Sequence, residues 1–281
     1  MSQQQNQNDS NQRGINIQFD LKVPADTVWK ALTDGEELSR WFAPDVKVAP
    51  GVGGLIIRRW DATLKDEWPI TIWEPNKHLR ILHPNINRPG AAQIAVDYFI
   101  EDLGGGATRL RLVSYGFSKD ASWDDLYDGV TRGWDVLLWE LREYIEKHLG
   151  KPRAVHTLRC AVTMPFDEIW QRLCAREGLF GGDLLRAKAG DRFTLLAGAE
   201  SFAGVIIKIC STQYYLQAIV QDLNDAVLRI DCYPSKGGAT TVSFSLNTFE
   251  CEPARLEKIE RSLMTRLESL LGSKVEIERV D

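Results

Sequence analysis

No run of apolar residues in this chain approaches the ~18 to 20 that a membrane-crossing helix needs. The opening residues, MSQQQNQNDSNQRG, are polar where a secretion signal would be apolar. The expectation is a cytoplasmic protein whose residues 1–13 form a disordered tail. Basic charge is also in short supply: 34 Lys and Arg stand against 39 Asp and Glu, for a net charge of −5. Neither nucleic acid nor a membrane surface is therefore an expected partner, since both reward a basic face. Cysteine is sparse too. The five, Cys160, Cys174, Cys210, Cys232 and Cys251, are odd in number, lie in the second half and form no CxxC pair. That pattern points away from a disulfide framework or a zinc site and towards buried free thiols. The four histidines are not spaced from Cys, Asp or Glu as a ligand set would be, so no metal and no cofactor is expected. GxSxG, HExxH and Walker A signatures are missing, and GVGG at 51–54 lacks the third glycine of a dinucleotide fingerprint. No catalytic residue can be named from such a sequence.

What the chain does have is a repeat. Its 281 residues exceed what one hydrophobic core commonly needs, which suggests two domains. Setting Pro24 on Pro165 aligns Asp26 with Asp167, Trp29 with Trp170 and Leu32 with Leu173, at an offset of 141 residues. Gly53 falls on Gly190 at 137, and the GGAT at 105–108 falls on that at 237–240 at 132. The offset only shrinks, as it would if the second copy had shorter loops.

Each copy reads in the same order. INIQFDLKV (15–23) alternates apolar and polar residues, as a strand with one buried face does. Pro24 then opens a short helix where its missing N–H costs nothing, and Asp34-Gly35 breaks it before a second short helix ending at Trp41-Phe42. Strand-like runs follow, namely GLIIRRW, WPITIW, HLRIL, QIAVDYFI and TRLRLVSY. A long helix closes the copy near 122–149, with Trp123, Leu126, Val130, Trp134, Leu137, Leu138, Leu141 and Ile145 on one stripe, and Gly150 and Pro152 stop it. The second copy runs from AVHTLRCAVTM through RFTLLAG, GVIIKICS, YYLQAIVQD, AVLRIDCY and TTVSFSLN to a helix near 253–271. The expected fold is α+β, with domains at 14–150 and 151–281. Each has a curved antiparallel sheet wrapped around a long C-terminal helix, with two short helices after its first strand.

VPADTVWKALTDGEELSRWF, GVGG, GGGATRLRLVSYGF and GWDVLLWELREYI, in that order, resemble the SRPBCC superfamily, also called START-like or helix-grip. Within it they are similar to proteins related to the C-terminal domain of the activator of the ninety-kilodalton heat-shock protein ATPase. The second copy looks like a divergent member, because Trp41 there faces Gly182. The resemblance implies a cavity between sheet and terminal helix, with the second short helix near its mouth.

Eight of the nine tryptophans lie in the first copy, more than a core of that size needs, and aromatic walls suit a small-molecule cavity. Trp29 recurs as Trp170 and is expected in the core, whereas Trp41, lost from the second copy, is expected on a cavity wall. The candidate ligand-binding residues are Trp41, Phe42, Trp60, His83, Tyr98, Trp134 and Leu138. Alternation places His83 and Tyr98 on interior faces; the facing of Arg58 stays open. Gly129 and Gly133, inside the long helix, imply that sheet or ligand approaches closely. The leading function is binding of a hydrophobic or aromatic small molecule by the first domain, the second supporting, dimerising or regulating it, with a homodimer allowed for. The alternatives are a cyclase- or hydrolase-type enzyme and a co-chaperone-like interaction module.

Overall fold

The computed structural model describes residues 12–60, 65–83 and 93–278. The expected tail therefore lies outside the described residues up to position 11, while Gln12 and Arg13 already belong to the first strand. The chain divides into two compact units between Gly150 and Lys151.

In the first unit, β1 (Gln12–Leu21) leads into α1 (Ala25–Thr33) and α2 (Gly35–Ser39). Asp34 ends one helix and starts the other: its side chain accepts from the backbone N–H groups of Glu36 and Glu37 at 2.9 and 3.0 Å. There follow β2 (Asp45–Ala49), β3 (Leu55–Arg59), β4 (Lys65–Glu74), β5 (His78–Leu82), β6 (Ala95–Gly104) and β7 (Ala107–Ser118). They form an antiparallel sheet in the order β1-β7-β6-β5-β4-β3-β2. Strand β2, which the sequence reading passed over, holds the wall helix in place. A Cβ on Gly35 would sit 2.8 Å from the carbonyl oxygen of Val46, so only glycine lets α2 approach β2 this closely. The unit closes with α3 (Asp124–Glu143), which passes into one π-helical turn at Tyr144–His148.

The second unit has β8 (Arg153–Val162), α4 (Phe166–Cys174), β9 (Arg192–Ala197), β10 (Glu200–Cys210), β11 (Tyr215–Val220), β12 (Ala226–Pro234), β13 (Thr240–Phe249), α5 (Pro253–Leu271) and β14 (Glu276–Glu278). Its sheet order is β14-β8-β13-β12-β11-β10-β9. The α+β tandem plan holds, with one correction. No second short helix follows α4, because the stretch EGLFGGDLL turns back on itself instead. A Cβ on Gly178 would collide with the carbonyl of Leu173 at 2.2 Å, and Phe180 bridges to Leu195. Helix α2 and strand β2 thus have no counterparts here. A strand at the opposite edge, β14, brings the count back to seven.

The replaced segment fills the second interior. Leu179, Phe180 and Leu184 are buried in one core with Trp170, Phe193, Phe202, Phe244, Ile259 and Leu263. Between β8 and α5 a gap lined by His156, Leu158, Phe244 and Glu260 holds only ≈ 10 Å³, about one water's worth. Ligand pockets are of the order of ~300–1,000 Å³.

All five cysteines are free, and Cys160, Cys174 and Cys232 are buried in the second core. Burial pushes the Cys160 thiol up to about 11 and that of Cys232 to about 12, and raises Cys174 as well. Cys210 is only partly buried, and a hydrogen bond with Thr212 lowers its value. In the native protein a disulfide reagent should therefore modify Cys210 first, while those three react only on unfolding; peptide mass spectrometry of timed samples reads this. Early labelling of Cys174 would show that the second core opens.

Candidate functional site

The concave side of the first sheet is built by the two-residue period of its strands. On β3, Ile56 and Arg58 are buried, opposite Trp68 and Asp66 of β4 in the strand register. On β5, Leu79 and Ile81 point inward, and Tyr98 of β6 pairs with Leu79 on the same face. Helix α3 brings Trp134 down onto these strands. Its ring lies 6.1 Å from that of Tyr98 and 6.4 Å from that of Trp68, both edge-on. From the far side the segment after α2 adds Phe42, 6.4 Å from Trp134 and 5.3 Å from Trp60. His83 stands with its ring 4.6 Å from Trp68. One aromatic cluster thus gathers Phe42, Trp60, His83, Tyr98 and Trp134, five of the seven expected residues.

Arg58 sits in the middle of these rings. Its guanidinium carbon is 4.0 Å from the centre of Trp68, 4.9 Å from Phe42 and 5.8 Å from Trp60. The residue is 5 % exposed. Asp66 holds it in a two-pronged pair, Nε to Oδ1 at 2.7 Å and Nη2 to Oδ2 at 2.6 Å. Burial pushes the guanidinium below its ordinary value, and the Asp66 hydrogen bond and charge pull it back. It stays charged, since arginine does not give up its proton in proteins. Cation–π contact with three faces adds roughly 0.5–2 kcal/mol each at best, which helps offset the cost of taking the charge out of water.

Two donors beside it have no hydrogen-bond partner among the described residues. The indole N–H of Trp68, a residue 3 % exposed, meets no acceptor among the described residues. Tyr98 is likewise buried. Burial raises its hydroxyl well above the ordinary tyrosine value against the opposing pull of Arg58, with no hydrogen bond contributing.

The remaining expectations need adjustment. Trp41 is 1 % exposed and its Nε1 donates to the carbonyl of Ala31 at 2.8 Å, while its ring stacks on Phe42 at 5.0 Å. It backs the wall rather than facing the basin. Leu138 is buried one turn beyond Trp134 on α3. Trp29, expected in the core, is half-buried and meets Trp73 edge-on at 5.0 Å. It lines a surface groove with Lys30, Thr33, Asp34, Gly35, Val48 and Pro50. Its counterpart Trp170 is 3 % exposed, because the second unit closes over that helix face. The close approach expected at Gly129 and Gly133 is not made: a Cβ on either would meet nothing within 4 Å. Gly133 instead falls on a strip with Leu126, Val130 and Leu137, spaced by turns of α3, all only half-buried. Arg58, Asp66 and Trp68 are the site residues missed. In LIIRRW both alternating sets, Leu55/Ile57/Arg59 and Ile56/Arg58/Trp60, mix apolar with charged residues, so pattern alone leaves the facing open.

Residues 22–146 match the family model described as Activator of Hsp90 ATPase homolog 1-like protein. The match covers most of the first unit. The chain is also similar to several solved structures. Protein MLL2253 from Mesorhizobium loti is 21% identical over 49% of this chain and 99% of its own, with a TM-score of 0.43. The Aha1 dimer from Colwellia psychrerythraea is 21% identical over the same shares, with a TM-score of 0.44. The di-domain ARO/CYC BexL from the BE-7585A biosynthetic pathway is 13% identical over 92% of this chain and 96% of its own, with a TM-score of 0.43. No curated protein matches the chain. In the first unit the aromatic cluster lies between the sheet and α3, and in the second unit the space under the sheet is packed with its own side chains. No helix among the described residues is long and apolar enough to cross a membrane. No group of three or more His, Cys, Asp or Glu among them could hold a metal ion.

Two measurements test this geometry. Asp66→Asn strands the buried guanidinium and should lower the unfolding free energy in urea by about 2–4 kcal/mol, with Arg58→Met/Asp66→Leu recovering most of it; a neutral Asp66→Asn would mean the pair is solvated. Gly129→Ala and Gly133→Ala should each stabilise the ligand-free protein by up to about 1 kcal/mol in thermal melts. A loss at either would reveal a contact the geometry lacks.

Proposed function

We propose that the first unit binds a flat hydrophobic or aromatic small molecule in the basin between its sheet and α3, and that the second unit supports or regulates it. The observation that carries this is the contrast between the two interiors. The first keeps Phe42, Trp60, Trp68, His83, Tyr98 and Trp134 around a buried charge and leaves an apolar strip of α3 half open. In the second, the corresponding interior is packed with its own side chains, down to a gap of ≈ 10 Å³. Aromatic walls with a few placed polar groups are the usual make-up of a small-molecule site. The half-buried strip is apolar surface that a ligand would remove from water, worth about 25 cal/mol per Å² covered.

A cyclase- or hydrolase-type reading would use the same basin, with His83 or Tyr98 polarising a carbonyl. It needs a base as well. Asp66, the carboxylate paired with Arg58 there, is committed to that guanidinium. His83 lies beside the same rings, but binding asks for no base and is the reading proposed.

Titrating flat hydrophobic compounds into the full chain while following tryptophan emission should give saturable quenching by at least one of them, because eight of nine tryptophans lie in the first unit. Trp60→Ala, at a half-buried ring on the basin's edge, should weaken that binding about tenfold or more with little change in melting temperature. An absence of saturable quenching across the panel would end this reading.

A further inference from the structure

Resting on that reading, the geometry points to a neutral aromatic ligand that carries hydrogen-bond acceptors, of the aryl ketone kind, in preference to a plain hydrocarbon or an organic anion. Three polar groups among the basin's rings carry unused donors. Arg58 spends Nε and Nη2 on Asp66, which leaves Nη1 without a hydrogen bond among the described residues. Trp68 carries a buried N–H that meets no acceptor, on a ring 4.0 Å from that guanidinium. Tyr98 is buried near Arg58 and makes no hydrogen bond among the described residues, and burial keeps its hydroxyl protonated, so it too can donate.

Donor capacity left unpaired in a buried place is costly and is relieved by an acceptor that the chain does not supply. An indole N–H can only donate, and so can a guanidinium, which sets the sign of the missing partner: it must accept. The charge state follows from Asp66. Because its carboxylate already offsets the guanidinium, the pair is neutral as a unit, and a ligand anion would enter an apolar basin without a counter-charge of its own. A carbonyl oxygen brings lone pairs without that penalty. The rings around it, Trp134 edge-on to Trp68 and Tyr98, and Phe42 stacked with Trp134, offer flat faces for the rest of such a molecule.

Three probes of nearly one shape separate these chemistries: 9-fluorenone, fluorene and fluorene-2-carboxylate, each measured with the full chain by equilibrium dialysis. Fluorenone is expected to bind at least about tenfold tighter than fluorene, with the carboxylate no tighter than fluorene. Trp68→Phe keeps an aromatic ring and removes the donor; it should weaken fluorenone binding more than fluorene binding and so cut the preference for fluorenone to about threefold or less. Equal binding of fluorenone and fluorene, tightest binding of the carboxylate, or a preference untouched by Trp68→Phe would each overturn the assignment while leaving small-molecule binding intact. If none of the three binds but other flat compounds quench the tryptophans, the ligand class is wrong and the basin's role stands. If nothing binds in either experiment, both fall.

Discussion

A charge held inside an aromatic enclosure is the constraint around which the first unit is arranged. Taking a guanidinium out of water costs several kcal/mol even after relaxation, and the fold meets that cost in two ways. Asp66 lies directly across the β3–β4 ladder from Arg58, so strand register alone delivers the counter-charge at 2.6–2.7 Å. The faces of Trp68, Phe42 and Trp60 then surround the cation with electron density that oil-like side chains lack. Those three rings come from β4, from the turn after α2 and from the end of β3, so the position of one arginine depends on the closure of three chain segments. Such an arrangement is weak evidence for stability, since a hydrophobic substitute of similar volume commonly does as well. A ligand site of the kind proposed would give the arrangement a use.

The two units show how that capacity is added to or removed from one framework. Six strands in each share the same antiparallel order, and a long helix lies across each sheet. They differ in the stretch between the first helix and the third strand. In the first unit this stretch is α2 and β2, tied together by the close approach at Gly35 and by Ser39, whose hydroxyl accepts from the N–H of Val46 at 3.0 Å. It ends in Trp41 and Phe42, one ring anchoring the wall to α1 and the other facing Arg58. In the second unit the same stretch folds inward as Leu179, Phe180 and Leu184. Exchanging α2 and β2 for an inward-folded segment therefore changes what packs under the sheet, with six strands left in place.

Most of the fold was legible in the sequence, and the site only in part. The repeat, the strand runs and the terminal helices rest on periodicities that a backbone imposes over many residues, so single ambiguities average out. Two short strands, β2 and β14, escaped because DVKVA and EIE are too brief for alternation to stand above noise. His83 and Tyr98 were placed correctly on interior faces, since their strands carry clean apolar alternation. Arg58 was not, because both faces of LIIRRW carry an arginine, and the choice is made by Asp66 across the ladder rather than by anything local. Trp29 of α1 and Trp41 after α2 went the opposite way from expectation for a related reason. Recurrence of Trp29 as Trp170 reports a shared helix face, whereas burial depends on what closes over that face, and only the second unit covers it.

The local inconsistencies of the first unit gather in the same place. Helix α3 carries two interior glycines that no neighbouring atom requires, at roughly 1 kcal/mol each. An apolar strip on the same helix is left half open, and the Trp68 N–H is buried without an acceptor among the described residues, as is that of Trp170 in the second unit. A sequence selected for stability alone would remove each of these by a single substitution. In the second unit, where the interior is filled, α5 has no glycine between Pro253 and Leu271 and buries Leu256, Ile259, Leu263, Leu267 and Leu271. Places where local choices work against the global fold are where natural proteins tend to carry function. By that criterion the half-buried strip of α3 and the cluster around Arg58 are the parts of the first unit on which a test for a bound molecule bears most directly.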